Sequence, residues 1–335
     1  MNVAGIDVDS RTLKVVVRRQ GKNEKVKVYD NTALGHGDVV ALLRRARVQR
    51  VCLEATGSYH IDLAVALSDG PDLEVMVLNP KVAKRFAESL GQRQKTDAVD
   101  AGVLAEYAER MPFSTWVRPA EEVLALRALT RRVTALTKQR TQAKNHLHAA
   151  RAARSTPALV LEDMALSIAQ LDRQIERLRD AALALVRQHK GLARTLALLS
   201  SAKGVGVTSA LQLMGELLVL PTCLTARQWV AMAGLDPRHH RSGHSVDKPP
   251  RLSKAGNRYL RLALYMPALS ACRHEPHVRA YYQHLIVRRG LKKLQAVCAV
   301  MRKLLHAFHG MLATQTPFDG TRFTAVRVEP AAALA

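Results

Sequence analysis

"VAGIDVDSRTLKVVVRRQGKNEKVKVYD", residues 3–30, sets how the chain begins to fold. Three β-branched runs, 3–8, 12–19 and 24–30, are separated by short polar connections, the pattern of an antiparallel meander. Beyond it the period changes. Residues 37–48 have helical spacing, "RVCLEAT" (50–56) reads as a short buried strand, 59–69 as a helix and 73–79 as another strand. Pro80 opens a further helix. The order β-β-β-α-β-α-β-α-α over residues 1–115 predicts a mixed sheet with helices packed on it.

The rest of the chain reads as all-α. Leu126, Leu129, Val133, Leu136, Ala143, Leu147 and Ala150 form one heptad seam, and Met164, Ile168, Leu171, Ile175, Leu178, Ala182 and Leu185 a second. Pro157 breaks the helix between them. Residues 116–191 are therefore expected to form a coiled-coil region, either a helical hairpin or long arms that pair between subunits. Residues 192–320 are a third, mostly helical region, and 321–335 a loose tail. Within the third region "RHHRSGHSVDKPPRLSKAGNRYLR" has almost no apolar residue and is expected to be a basic loop.

Lys and Arg exceed Asp and Glu by 23, a surplus that points to a polyanionic partner, most simply nucleic acid. The four cysteines form no CxxC pair and the thirteen histidines no HExxH, which argues against a zinc site. No apolar run nears the roughly 20 residues of a membrane span, and "MNVAGIDVDS" leads directly into a strand pattern; a cytoplasmic protein is expected.

Acids stand where apolar residues belong. Asp7 lies in the first strand, where a buried carboxylate is costly unless it is paired or binds a cation. Glu54 ends the strand at 50–56. Asp97 and Asp100 are three apart in "KTDAVDA", on one side of a helix, where like charges repel. An ion pair with an arginine or a turn cap would explain any one of them. As a set they form an oxygen-donor site suited to Mg²⁺ or Mn²⁺.

"GIDV", "CLEATGSY", "NP", "KTDAVDA", "AGLDPR", "SG", "RLSKAGN" and "RLALYMPAL", in this order over about residues 3–320, resemble the DEDD transposases of bacterial insertion sequences, the bridge-RNA-guided recombinases. The resemblance implies a RuvC-like (ribonuclease-H-like) domain at 1–115, the coiled-coil region and a helical C-terminal transposase domain. It implies a metal site of Asp7, Glu54, Asp97 and Asp100, and a serine nucleophile that matches Ser242. Chemistry alone hardly separates Ser242 from Ser245; motif position selects Ser242. The loop otherwise reads as a segment that only grips phosphate.

Arg238, Arg241, Lys248, Arg251 and Lys254 surround the serine as candidate nucleic-acid contacts. "VDKPP" departs from the basic, glycine-containing turn that the family usually carries there. "KGVGVTSA" resembles a helix-hairpin-helix, with Gly204 and Gly206 as backbone phosphate binders, or is a plain turn between packed helices. The resemblance implies element ends and target DNA as substrates, a structured noncoding guide RNA, and a homo-oligomer, dimer or tetramer. Two other functions fit parts of the sequence: a metal-dependent, junction-resolvase-like nuclease without the serine, and a non-enzymatic binder. The presence of all four acids argues against the second.

Overall fold

A two-residue turn follows residue 19 and closes the second hairpin of the meander: Gln20 and Gly21 both have positive φ, 47° and 76°, as a tight β-turn between twisted strands requires. The structure, a computed structural model, describes residues 1–57, 59–70, 72–91, 97–242 and 246–324, except the side chains of 97, 98, 239–242 and 246–249. It falls into two compact units, Met1–Arg118 and Pro119–Ala335.

The first unit is a mixed sheet. Strands β1 (Asn2–Val8), β2 (Thr12–Arg19), β3 (Lys22–Asn23), β4 (Lys27–Asp30), β5 (Val48–Glu54) and β6 (Glu74–Leu78) lie in the order β3-β2-β1-β5-β6, with β4 also on β2. β1 is antiparallel to β2 and parallel to β5, and β5 is parallel to β6. This is the ribonuclease-H-like arrangement expected, with one difference: the third strand is split. Its halves, β3 and β4, pair with opposite ends of β2. Between them Val26 packs with Val16, Ala101 and Ala105.

Helices cover both faces. α1 (Ala33–Arg45) and α2 (Ile61–Ser68) pack on Ala4, Ile6, Val8, Val51 and Leu53. α3 (Pro80–Ser89) and α4 (Asp97–Arg110) pack on Val3, Cys52, Met76 and Leu78. The "NP" pair starts α3: Asn79 accepts from the Lys81 N–H at 2.9 Å, and Pro80 takes the first turn, where its missing N–H costs nothing.

In the second unit the two seams form α5 (Glu121–Ala152) and α6 (Ala158–Gln188), which pack against each other within the chain, with Val133, Leu136 and Ile175 between them. Arg140 and Asp172 join the pair at 2.8 Å. α7 (Lys190–Ser200), α8 (Val207–Leu217), α9 (Ala226–Ala233), α10 (Arg258–His274), α11 (Pro276–Val287) and α12 (Lys293–Thr314) share one core with the base of that hairpin. The stretch expected to be a basic loop instead forms a two-stranded antiparallel ribbon, β7 (Pro237–Ser242) and β8 (Val246–Leu252). Among the described residues no helix is long and apolar enough to cross a membrane.

Candidate active site

β1 alternates as a strand must. Ala4, Ile6 and Val8 enter one core, so Val3, Gly5 and Asp7 face α4. Gly5 sets the distance. A Cβ there would stand 2.1 Å from the Ala101 carbonyl oxygen and 2.3 Å from the Ala105 nitrogen, so only glycine lets the helix backbone come so close. Ala101, Leu104, Ala105 and Ala108 form the contacting face of α4. Farther along the helix, Arg18 of β2 donates to Glu109 at 2.6 Å and fixes it to the sheet.

That contact brings acids together. Ile6 is paired with Leu53 in the parallel β1–β5 ladder, so one step further Asp7, next to last in β1, comes beside Glu54, the last residue of β5. Asp100 lies one residue before Ala101. Asp7 has its pKa raised, first by burial, then by the charges of Asp100 and Glu54; Lys14, its antiparallel partner on β2, opposes the shift, and Asp9 adds to it. Asp97 opens α4, but its side chain lies outside the described residues. Among the described residues no three acid, His or Cys side chains close around a single ion. The donor set still fits a hard divalent cation: oxygen ligands only, half-buried, and mutually repelling.

Ser242 ends β7, paired with Val246, and residues 243–245 lie outside the description, as do the Ser242, Arg241 and Lys248 side chains. Arg238 and Arg251 face each other across the ribbon and are exposed, as is Lys254. The register steps two residues on β7 from Arg238 to His240, but three on β8 from Arg251 to Lys248. The surplus residue falls at Pro249–Pro250, which have no N–H to give the ladder. The departure "VDKPP" thus gives the ribbon a bulge.

The ribbon rises from a tightly built base. Gly234, in the left-handed conformation at φ 63°, ends α9. Ser253 donates to Asp236 at 2.5 Å, and the Lys254 and Asn257 N–H groups donate to Gly234 and Met232. A Cβ on Gly256 would lie 2.2 Å from the Met232 carbonyl oxygen. "AGLDPR" and "RLSKAGN" are therefore two halves of one knot.

Asn257 caps α10 and also donates to Glu216 of α8 at 2.5 Å. Glu216 is only 2 % exposed and accepts a bidentate pair from Arg131 of α5 at 2.6 and 2.9 Å; Arg127 stands 3.5 Å away. Sequence reasoning missed this cluster, for an acid in a helix of ordinary pattern gives no sign of its partners. It also missed the role of Gly5, although a glycine inside a strand signals close backbone approach.

Gly204 has φ 101°, and a Cβ on it would meet the Ala271 nitrogen of α10 at 2.6 Å. That is a packing reason for a glycine at this place. Gly206, at the start of α8, has open space around it.

Residues 4–150 match a family model described as a transposase, of the DEDD type, and residues 196–283 match the model "Transposase IS116/IS110/IS902 family". The pilin gene-inverting proteins of Moraxella bovis and Moraxella lacunata are each 30% identical over 276 residues, covering 80% of this chain and 81% of theirs. Among solved structures, Thermus thermophilus RuvC matches 32% of this chain and 96% of its own, at 19% identity and a TM-score of 0.26. The same protein with a Holliday junction substrate matches at 19% identity and 0.25.

Proposed function

We propose that this chain, which belongs to the IS116/IS110/IS902 family of transposases and is a DNA transposase or recombinase, breaks and rejoins strands with Ser242 as nucleophile and Asp7, Glu54, Asp97 and Asp100 as a metal-holding set. The observation that carries the acidic half is the meeting of Asp7, Glu54 and Asp100 under α4, with Asp7 held toward its protonated form by burial and by their charges. For the serine half the support is its place at the end of a ribbon rooted in a rigid knot.

The four carboxylates would hold Mg²⁺ or Mn²⁺, which when bound supplies positive charge for a phosphodiester in transition. The Ser242 oxygen attacks phosphorus, a new phosphorus–oxygen bond forms, and the bond from phosphorus to a sugar oxygen breaks, that oxygen leaving as a hydroxyl with the proton the serine gives up. The serine proton passes to a base, for which His240 and His244 are the nearest candidates in sequence. A sugar hydroxyl from the strand to be joined then attacks the same phosphorus and releases the serine. Arg238, Arg241, Lys248, Arg251 and Lys254 neutralise the phosphates alongside.

A structured noncoding RNA would choose the DNA by base pairing. The net charge of +23 supports it, as do Arg132, Lys138, Lys144 and Arg151, exposed along α5, where shape and backbone rather than sequence would be gripped. A homo-oligomer, dimer or tetramer, would hold the two duplexes that recombination joins.

A reporter plasmid carrying the element's ends and target, in cells that also transcribe the element's flanks, tests this. Wild type recombines the reporter. Ser242→Ala and Asp7→Asn each abolish recombination, and so does loss of the flanking transcript. Recombination that persists in Ser242→Ala contradicts the serine role.

A further inference from the structure

α12 carries a glycine that its helix does not need. Gly310 lies in the interior of a 22-residue helix, where glycine is less favourable than alanine, and a Cβ on it would meet nothing within 4 Å. The open space above it is a hollow of about 610 Å³ between α12, α11 and the segment 316–323. That volume is in the range of small-ligand sites.

The walls have two characters. Arg302, Lys303 and Arg322 supply cations, while Tyr281, Phe318 and Phe323 supply an aromatic side. The Lys303 ammonium sits 5.4 Å from the Tyr281 ring centre and 5.9 Å from that of Phe323. Tyr281 and Phe323 meet edge to face at 5.9 Å, which fixes that wall. Among the described residues Asp319 is the one acid lining the hollow; it is held by the Thr321 N–H at 2.9 Å and hydroxyl at 2.6 Å and faces Arg322 at 3.4 Å. Positive charge therefore dominates. His306, on the rim, has its pKa lowered first by burial and then by Arg302, Lys303, His309 and Arg227.

We propose that this hollow binds one unpaired nucleotide of a DNA or RNA strand, its phosphate against Arg302, Lys303 and Arg322 and its base in the space over Gly310. An anionic group fits the cations, and a flat apolar ring fits the aromatic side. A base within a duplex is covered on both faces by its neighbours, so only one out of the stack can enter. The proposal rests on the chain being a nucleic-acid binder and is independent of Ser242.

The test is fluorescence anisotropy of the full chain with labelled oligothymidylate, oligouridylate of the same length, and a blunt DNA duplex. Gly310→Leu fills the hollow from a position with room for a side chain, and Arg302→Ala removes a cation without filling it. Both variants are expected to weaken single-strand binding roughly tenfold and to bind duplex as wild type does. The strand with the larger loss identifies the source as DNA or RNA. A thermal melt of Gly310→Leu at or above wild type excludes unfolding as the cause; should it fall, Arg302→Ala decides. If both variants bind single strands like wild type, the proposal falls while nucleic-acid binding stands. If wild type binds neither single strand nor duplex, both fall.

Discussion

The Gly5 α-carbon lies so close to Ala101 that a methyl group on it would be 2.1 Å from the Ala101 carbonyl oxygen. The atom in the way is helix backbone, which cannot rotate aside as a side chain would. Gly5→Ala must lift α4 from β1, and with it Asp100 from Asp7 and Glu54. The expected cost is about 1–3 kcal/mol in a urea melt, as for overpacked cores. Strand cleavage should fall far more than DNA affinity. Full cleavage by Gly5→Ala would contradict the site's dependence on this contact.

Adding a divalent cation should raise the melting temperature of wild type. Binding to the folded state alone contributes about 2.7 kcal/mol at one hundred times the dissociation constant, a shift of several degrees at most for a chain of this size. Asp7→Asn and Glu54→Gln should lose most of the shift. Calorimetric scans with Mg²⁺, Mn²⁺ and chelator read this without any nuclease assay, and equal shifts in all three proteins would place the cation elsewhere.

Glu216 ties α5, α8 and the start of α10 together from a position 2 % exposed. Glu216→Ala strands Arg131 and Asn257 without their acceptor and should cost about 3–5 kcal/mol, as when one partner of a buried ion pair is removed. Glu216→Gln keeps an acceptor and the shape, so it should cost clearly less. Equal losses in denaturant melts of the two variants would mean that packing, not pairing, matters there.

Much of this architecture is written in periodicity. The strands of the sheet, the proline break between α5 and α6 and the Pro80 start of α3 all show as local patterns, because each follows from backbone geometry within a few residues. The split of the third strand does not, since it depends on how β2 offers its edge. The ribbon is hidden too: apart from Val246 and two prolines, residues 238–251 carry no apolar side chain, so nothing in them alternates. Asp7 stands out in the sequence because it interrupts an apolar strand. The Glu216 cluster does not, for Arg131 and Glu216 are 85 residues apart and neither helix pattern reports the other. That α5 packs on α6 within the chain was one of two outcomes their seams allowed.

Burial pushes the Cys272 thiol up to about 11, from an ordinary 9.0. Between those values the unfolded chain ionises this thiol while the folded chain keeps its proton. Stability from this group is thus intact below pH 9 and is lost as pH rises toward 11. Alkylation near pH 8 should modify the exposed Cys223 first and spare buried Cys52 and Cys272 until the chain unfolds. Peptide mapping after timed labelling reads the order, and early labelling of Cys272 would contradict its burial.

Joint use of Ser242 and the carboxylates on DNA is read by a covalent-adduct assay. The protein is purified with RNA transcribed from its element's flanks, mixed with labelled DNA spanning the element's ends and Mg²⁺, and run on a denaturing protein gel. Wild type should give a labelled protein band whose modified peptide contains Ser242. Ser242→Ala should give no such band, and Asp7→Asn little or none. Metal-dependent nicking that persists in Ser242→Ala, with no adduct in wild type, would contradict the serine mechanism and leave a nuclease that works through the carboxylates alone.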